Sequence, residues 1–245
     1  MAVTDRQREY LDAMGIQTWS LRQREEGGDV VTKPESKAAA AIPVELDLYA
    51  PVSTELTVDD VWQRLEYQVA QCTACDLHKQ RTQTVFGVGN HQADWMIVGE
   101  APGADEDRQG QPFVGRAGKL LDAMLLAVGL QRDQVFIANI LKCRPPNNRD
   151  PHADEVQHCL GYLQRQIALV NPRVILAVGA VAAQTLLDTH APVGRLRGQQ
   201  HHYGESEIPL VVTYHPAYLL RTPSEKRRAW QDLQLARQVA TASAA

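Results

Sequence analysis

The 245-residue chain lacks several features that would assign it to a class of protein at once. No apolar run approaches the roughly 18 residues of a membrane span. The first residues, M-A-V-T-D-R-Q-R-E, lack the apolar segment of a secretory signal. The formal net charge is −4, so no overall basic charge marks a nucleic-acid-binding protein. We therefore expect a cytoplasmic protein in which any contact with DNA depends on local basic clusters.

Cysteine is also scarce, with four residues in the chain. In a cytoplasmic protein of this size, disulfides are not the expected use for them. Four thiolates suit either zinc or an iron–sulfur cluster, and the spacing does not separate the two. For the last cysteine, which falls on an apolar helical stripe, a buried free thiol is the alternative. The four are a C-x-x-C pair followed by two single residues: Cys72, Cys75, Cys143 and Cys159.

The phosphate-binding pattern G-x-x-x-x-G-K-[ST] is absent, although residues 99–118 are rich in glycine. This stretch reads G-E-A-P-G-A-D-E-D-R-Q-G-Q-P-F-V-G-R-A-G and lies between an apolar run and an apolar-periodic segment. We expect it to be a long loop from a buried strand to a helix. Its four carboxylates and one exposed aromatic residue, Phe113, favour a pocket for a flat polar ring over one for a triphosphate.

Apolar strand patterns alternate with helical patterns from about residue 57 onward, which predicts an α/β fold. We expect a three-layer αβα sandwich with a central four-stranded parallel sheet. The carboxyl ends of parallel strands meet at one edge, where ligands bind in such sheets. The predicted strands cover residues 95–98, 135–141, 174–178 and 209–213, and they end near Gly99, Asn139, Gly179 and His215.

Three regions are predicted along the chain. Residues 57–245 form the globular domain, with Thr57 and Asp60 as the cap of its first helix. Residues 23–56 carry glycines, prolines and four consecutive alanines with little periodicity, which indicates a linker. Residues 1–22 contain an isolated apolar cluster that includes Ile16, Trp19 and Leu21, which suggests a docking peptide. The alternative is a segment that folds back on its own domain.

Three of the predicted strand ends carry usable chemistry. One is followed by Glu100 and Phe113, another ends at Asn139, and a third is followed by His215. A side-chain amide can pair with the edge of a nucleobase, and a histidine can donate to an oxygen that gains charge. Each residue alone has an ordinary structural role, as a turn cap or a core side chain. Their convergence on one sheet edge favours a site.

Basic residues gather loosely in three places near the same edge. They suit phosphate contacts that flank a pocket, although a solvated charged surface is the ordinary alternative. The three groups are Lys142, Arg144 and Arg149; Arg195 and Arg197; and Arg221, Lys226, Arg227 and Arg228.

Five features in this order resemble the type-4 uracil-DNA glycosylases, over about residues 60 to 240. The first two are G-E-A-P-G at 99–103 and Q-P-F-V-G-R-A-G at 111–118. The next two are N-I-L-K-C-R-P-P at 139–146 and H-P-A-Y-L-L-R at 215–221, and the fifth is the order of the four cysteines. The resemblance implies a [4Fe–4S] cluster on those cysteines and hydrolysis of the N-glycosidic bond of deoxyuridine in DNA.

The resemblance also implies roles for single residues. Phe113 would stack on the flipped base, the Asn139 amide would pair with its O4 and N3 edge, and His215 would donate to O2. Main-chain N–H groups of the loop that holds Gly99, Ala101 and Gly103 would assist. Ala101 stands where the best-known branch of the superfamily has an aspartate, so Glu100 or main-chain groups must hold the attacking water. Three further roles are Glu106 against C5 of the base, and Arg144 and Arg221 along the DNA backbone.

Residues 10–22, Y-L-D-A-M-G-I-Q-T-W-S-L-R, resemble the N-terminal peptide of the psi subunit of bacterial DNA polymerase III. The resemblance implies docking on the clamp loader, with Trp19 as the anchor. It also raises an alternative function, a psi-like adaptor with a vestigial glycosylase site, against which the intact Phe113, Asn139 and His215 argue. A third possibility, a zinc-stabilised nucleotide-binding module, is disfavoured because the phosphate-loop lysine is missing.

Overall fold

A six-stranded sheet forms the centre of the computed structural model of the protein, which describes residues 57–242. The predicted docking peptide at 1–22 and the linker at 23–56 lie outside the described residues. The strands are β1 (Val88–Gly89), β2 (Trp95–Gly99), β3 (Phe136–Asn139), β4 (Val174–Val178), β5 (Gln200–Tyr203) and β6 (Ile208–Thr213).

The strand order is β1-β3-β2-β4-β6-β5. The four inner strands β3, β2, β4 and β6 are parallel, which confirms the predicted parallel core. The sheet is wider than predicted, because β1 and β5 add an antiparallel strand at each edge. Strand β1 has only two residues, and β5 reads Q-H-H-Y with no buried residue, so neither shows the apolar pattern of an inner strand.

Helices cover both faces of the sheet and complete the three layers. Strand β2 shows how the faces separate, because Met96 and Val98 join one core and Trp95 and Ile97 join the other. The first core includes buried residues of α1 (Val58–Ala70), α4 (Ala153–Val170), α5 (Ala180–Leu186) and α6 (Val193–Leu196). The second includes those of α3 (Arg116–Ala127), α7 (Pro216–Arg221) and α8 (Lys226–Ala242). No helix within residues 57–242 is long and apolar enough to cross a membrane.

The glycine content of residues 99–118 predicts one long loop, but the structure shows that the stretch is interrupted by helices. A short helix, α2 (Ala104–Gln109), divides it, and α3 begins at Arg116, inside the predicted loop. The segment A-D-E-D-R-Q carries no apolar stripe, so the hydrophobic pattern gives no sign of a helix. Asp107 is nonetheless buried, and it accepts hydrogen bonds from the main-chain N–H of Thr82 at 3.0 Å and from its hydroxyl at 2.7 Å.

The helix α1 begins as the sequence predicts. The Thr57 hydroxyl accepts from the N–H of Asp60 at 3.2 Å, and the Asp60 carboxylate accepts from the N–H of Thr57 at 2.9 Å. This reciprocal capping box satisfies two donors at the helix start.

Candidate active site

Gly99 and Asn139 stand side by side at the carboxyl ends of β2 and β3. The Asn139 side chain is 2% exposed, and its Oδ1 has no hydrogen-bond partner among the described residues. A Cβ at Gly99 would lie 2.4 Å from that Oδ1 and 2.6 Å from the ring of Phe113. Glycine is therefore required at 99, because its missing side chain leaves the space between the amide and the aromatic ring.

Phe113 adopts a left-handed backbone conformation, with φ at 55°. The sequence predicts an exposed ring, but the structure shows a side chain only 7% exposed. Such a conformation is unfavourable for a non-glycine residue and persists where its surroundings hold it. Arg132 donates to the carbonyl of Pro112, and a Cβ at Gly118 would lie 1.8 Å from the carbonyl oxygen of Phe113. These contacts constrain the main chain at Phe113.

Glu106 joins the two halves of the divided loop. Its Oε1 accepts from the N–H groups of Val114 at 2.9 Å and Gly115 at 3.1 Å, and its Oε2 accepts from that of Gly103 at 3.1 Å. Each charge-assisted bond to a backbone N–H is stronger than a neutral one. The N–H of Gly103 therefore donates to Glu106 rather than into the space beside Asn139.

His215 caps the start of α7, two residues after β6 ends. Its Nδ1 accepts from the N–H of Ala217 at 3.1 Å, so in the neutral ring the proton lies on Nε2. Burial, aided by the positive charge of Arg221, lowers the pKa of His215 to about 4. The ring is thus a neutral donor at ordinary pH, and its centroid lies 5.6 Å from that of Phe113.

Gly179 provides the space behind His215. It has φ at +100°, and a Cβ there would lie 3.1 Å from the Cβ of His215. The ends of β2, β3 and β6 thus border one space at the sheet edge. The end of β4, at Gly179, lies behind His215.

Glu100 is half-buried directly after β2. Burial, together with the nearby carboxylate of Asp150, raises the pKa of Glu100 above its usual value. Its main-chain oxygen accepts from the N–H of Leu141 at 3.0 Å. The side-chain carboxylate is therefore the group of Glu100 that can act on a ligand. Ala101 packs against the first core.

A model of the uracil DNA glycosylase superfamily matches residues 86–234. A type-4 uracil-DNA glycosylase from Archaeoglobus fulgidus is 43% identical over 173 residues, which cover 68% of this chain and 87% of the relative. One from Thermotoga maritima is 42% identical over 175 residues, or 70% of this chain and 90% of the relative. One from Sulfurisphaera tokodaii is 41% identical over 188 residues, or 74% and 86%. The chain belongs to the type-4 uracil-DNA glycosylase family.

The four cysteines of this type-4 glycosylase line one pocket. All four are free, and Cys143 and Cys159 are buried. Arg81 donates to the sulfur of Cys143 at 3.1 Å, and the main-chain N–H of Lys142 donates to that of Cys159 at 3.2 Å. Burial raises the pKa of the Cys159 thiol to about 11 and also raises that of Cys143. In residues 57–242, no group of three or more His, Cys, Asp or Glu side chains forms a site for a single metal ion.

Lys142 is fully buried, whereas its place in a basic cluster predicts an exposed phosphate contact. Its Nζ donates to the main-chain oxygen of Asn139 at 2.9 Å and to Oε1 of Gln166 at 2.6 Å. Burial lowers the pKa of Lys142 to about 8. Sequence reasoning missed this role because the acceptor on Gln166 is 24 positions away, in α4.

Three arginines of the basic clusters are held in ion pairs. Arg149 donates to Glu155 at 2.9 Å, and Arg197 donates to the buried Asp232 at 2.8 Å. The third, Arg228, donates to Glu225 at 3.0 Å. Arg221 is exposed at the end of α7, and Arg144 donates from Nε to Oδ1 of Asn148 at 2.7 Å.

Proposed function

We propose that the protein removes uracil from DNA by hydrolysing the N-glycosidic bond of deoxyuridine, the first step of base excision repair. Membership of the type-4 family supports this proposal. The structural observation that carries it is the buried, unpartnered Oδ1 of Asn139 beside the ring of Phe113. A buried acceptor without a partner costs free energy unless a ligand supplies the missing hydrogen bond. The glycosidic carbon is out of reach inside a duplex, so the nucleotide must first leave the base stack.

Asn139 supplies the base recognition in this proposal. Uracil presents a donor at N3 and an acceptor at O4, which match the Oδ1 acceptor and the Nδ2 donor of the amide. Cytosine presents an acceptor at N3 and a donor at its exocyclic nitrogen, so both pairs would be mismatched. A site built to hydrogen-bond its substrate rejects an analogue that leaves those groups unpaired. Phe113 supplies the face on which the base stacks.

His215 stabilises the departing base. When the bond between C1′ and N1 breaks, its electron pair stays with uracil, and the negative charge spreads onto O2 and O4. The neutral imidazole donates a hydrogen bond from Nε2 to O2 and keeps its proton, so the ring stays neutral throughout. Because its tautomer is fixed by Ala217, this donor is oriented before the base arrives.

Water completes the reaction by bonding to C1′ and releasing a proton. We assign Glu100 to hold this water, since Ala101 has no group that can do so. A carboxylate with a raised pKa is well suited to accept a proton near neutral pH. Glu106 is assigned to the C5 edge of the base. Three main-chain donors hold its oxygens. Thymine carries a methyl group on C5, which Glu106 would crowd.

We propose that Cys72, Cys75, Cys143 and Cys159 hold a [4Fe–4S] cluster. The pocket contains four thiols, and N–H donors already point at two of the sulfurs, as is usual around such clusters. In a [4Fe–4S] cluster each thiolate binds a different iron, so the four sulfurs need not converge on one point. This matches four cysteines that line one pocket but do not form a site for a single ion. When bound, the cluster would brace the segment after α1 against α4 and the loop after β3. Iron and acid-labile sulfide per chain measure this directly.

Arg144 and Arg221 are assigned to the DNA backbone on either side of the site. Both are free of carboxylate partners among residues 57–242, unlike Arg149 and Arg197. Neutralising a phosphate releases counterions, so each arginine should contribute to the salt dependence of binding.

For residues 1–22 we propose docking on the clamp loader of the replicative polymerase. The support is the resemblance of residues 10–22 to the psi peptide. Clamp-loader subunits should co-purify with the full chain and be lost from the Trp19→Ala variant, and equal recovery with both proteins would overturn the proposal.

The deciding experiment follows uracil release from an oligonucleotide with one deoxyuridine, beside twins that carry thymine or cytosine at that position. We expect release from the uracil strand only, and loss of release with Asn139→Ala and with His215→Ala. No release by a protein with full iron content would overturn the proposal and favour the psi-like adaptor.

A further inference from the structure

Lys142 places an ammonium group in the interior without a carboxylate partner. It is 1% exposed, and no ion pair within residues 57–242 includes it. An isolated buried charge costs several kcal/mol, so its hydrogen bonds must offset much of that cost. The proposed reaction does not itself use this side chain.

The two bonds from Nζ connect three parts of the fold. One acceptor is the main-chain oxygen of Asn139, at the end of β3, and the other is Oε1 of Gln166, in α4. Gln166 in turn donates from Nε2 to the main-chain oxygen of Phe86 at 3.0 Å. Gln166 is also fully buried, so the network is sheltered from water.

These contacts fix the peptide unit between Asn139 and Ile140 from both sides. Lys142 donates to its oxygen at 2.9 Å, and its N–H, which belongs to Ile140, donates to the oxygen of Gly99 at 2.9 Å. The Asn139 side chain branches from the carbon at the start of this unit. A rotation of the peptide would therefore move the amide away from the position where its free Oδ1 faces Phe113.

Lys142 also connects this peptide with the cysteine pocket. Its main-chain N–H donates to the sulfur of Cys159 at 3.2 Å, and its neighbour is Cys143. Both cysteines and Lys142 line the same pocket. Thiolates that bind a cluster are anionic, so the Lys142 ammonium, together with the Arg81 guanidinium beside Cys143, would offset part of that charge.

We propose that Lys142 is a positioning residue for base recognition, which holds the Asn139–Ile140 peptide and ties the direction of the Asn139 amide to the cysteine pocket. This inference rests on the proposed function of Asn139. It assigns Lys142 no contact with the base and no part in bond breaking.

A double-mutant cycle of Asn139→Ala and Lys142→Met tests the coupling. The readout is equilibrium binding of two oligonucleotides, one with slowly hydrolysed 2′-fluoro-2′-deoxyuridine and one with a tetrahydrofuran abasic analogue. The ratio of the two affinities isolates base recognition from backbone contacts. Iron per chain is measured for every variant, and Lys119→Met, at an exposed lysine of α3, is the matched control.

We expect Lys142→Met to reduce the affinity ratio about tenfold in the wild-type background and less than twofold in the Asn139→Ala background. The abasic analogue should bind all variants within about twofold, since a positioning effect on the base leaves backbone contacts intact. Lys119→Met should leave both affinities unchanged.

An equal loss in both backgrounds would overturn the inference, as would an unchanged ratio in Lys142→Met. If that variant retains no iron, the cycle is repeated with Gln166→Met, which removes the second acceptor of Nζ, and the same rule decides. A wild-type protein that does not prefer the uracil analogue would overturn the proposed function instead. A wild-type preference with additive losses would overturn only the role of Lys142.

Discussion

The rings of Phe113 and His215 face each other with their centroids 5.6 Å apart and their planes at 30°. Gly99 links the first of these rings to Asn139, because only a residue without Cβ fits between them. An aromatic ring, a buried side-chain amide and a neutral imidazole thus border one space. The predictions below test how each part of this arrangement is held.

His215 should stay neutral far below the usual titration range of histidine. Its pKa of about 4 means that its proton NMR resonances should not move as the pH falls from 8 to 5.5. The unfolded chain takes up a proton near pH 6.5 and the folded chain does not, so this residue should lower the free energy of unfolding as the pH falls from about 6.5 to 4. A titration of His215 centred near 6.5 would contradict the neutral, desolvated ring.

Gly99→Ala should abolish uracil recognition. The new Cβ would collide with Asn139 and Phe113, and the neighbours would have to shift, at a stability cost of about 1–3 kcal/mol. Single-turnover rates and chemical denaturation measure the two effects. The control is Gly161→Ala in α4, where a Cβ meets nothing within 4 Å; it should leave the rate unchanged and raise stability by about 0.5–1 kcal/mol.

Glu100→Gln should lower the single-turnover rate by about 10²–10⁴-fold while abasic DNA binds as before. The wild-type rate should fall as the pH drops through the raised pKa of Glu100, because protonation removes the acceptor for the water proton. The variant has no such group, so its residual rate should be flat over that range. An unchanged rate would remove Glu100 from the mechanism.

Glu106→Gln should loosen the loop that carries Phe113. The carboxylate accepts three main-chain N–H bonds through two oxygens, whereas a glutamine has one oxygen, so at least one donor loses its partner. We expect faster amide hydrogen exchange at Val114 and Gly115 and about a tenfold lower rate of uracil release. Asp105→Asn is the control, because its pair with Arg108 is exposed and contributes at most about 1 kcal/mol. Equal exchange rates in both variants would show that Glu106 does not hold the loop.

The sequence was sufficient to predict the inner parallel sheet, and with it that Asn139 and the segment leading to His215 lie at the same edge of that sheet. Inner strands are continuous apolar runs, and parallel strands bring their carboxyl ends to one edge. Helix α2 and strand β5 escaped prediction because both are polar and draw their stability from tertiary contacts, such as the bond from Thr82 to Asp107.

The sequence also failed to predict which side chains of the site region are buried. The charge of Lys142 predicts exposure, and only the folded chain shows that Gln166 and the oxygen of Asn139 supply its acceptors. The burial of Phe113 likewise depends on a left-handed backbone that its loop composition does not reveal.

Asn139 and Cys143 are separated by three residues at the end of β3, and the second of those spacers, Leu141, is fully buried. This spacing sets a fixed distance along the chain between the residue assigned to base recognition and a proposed ligand of the cluster. Inserting one residue would move either the Asn139 amide or the Cys143 thiol out of its present position. Base recognition and cluster binding would therefore change together. A protein engineer who wishes to change which base is removed must therefore alter the pocket around this segment and leave its length untouched.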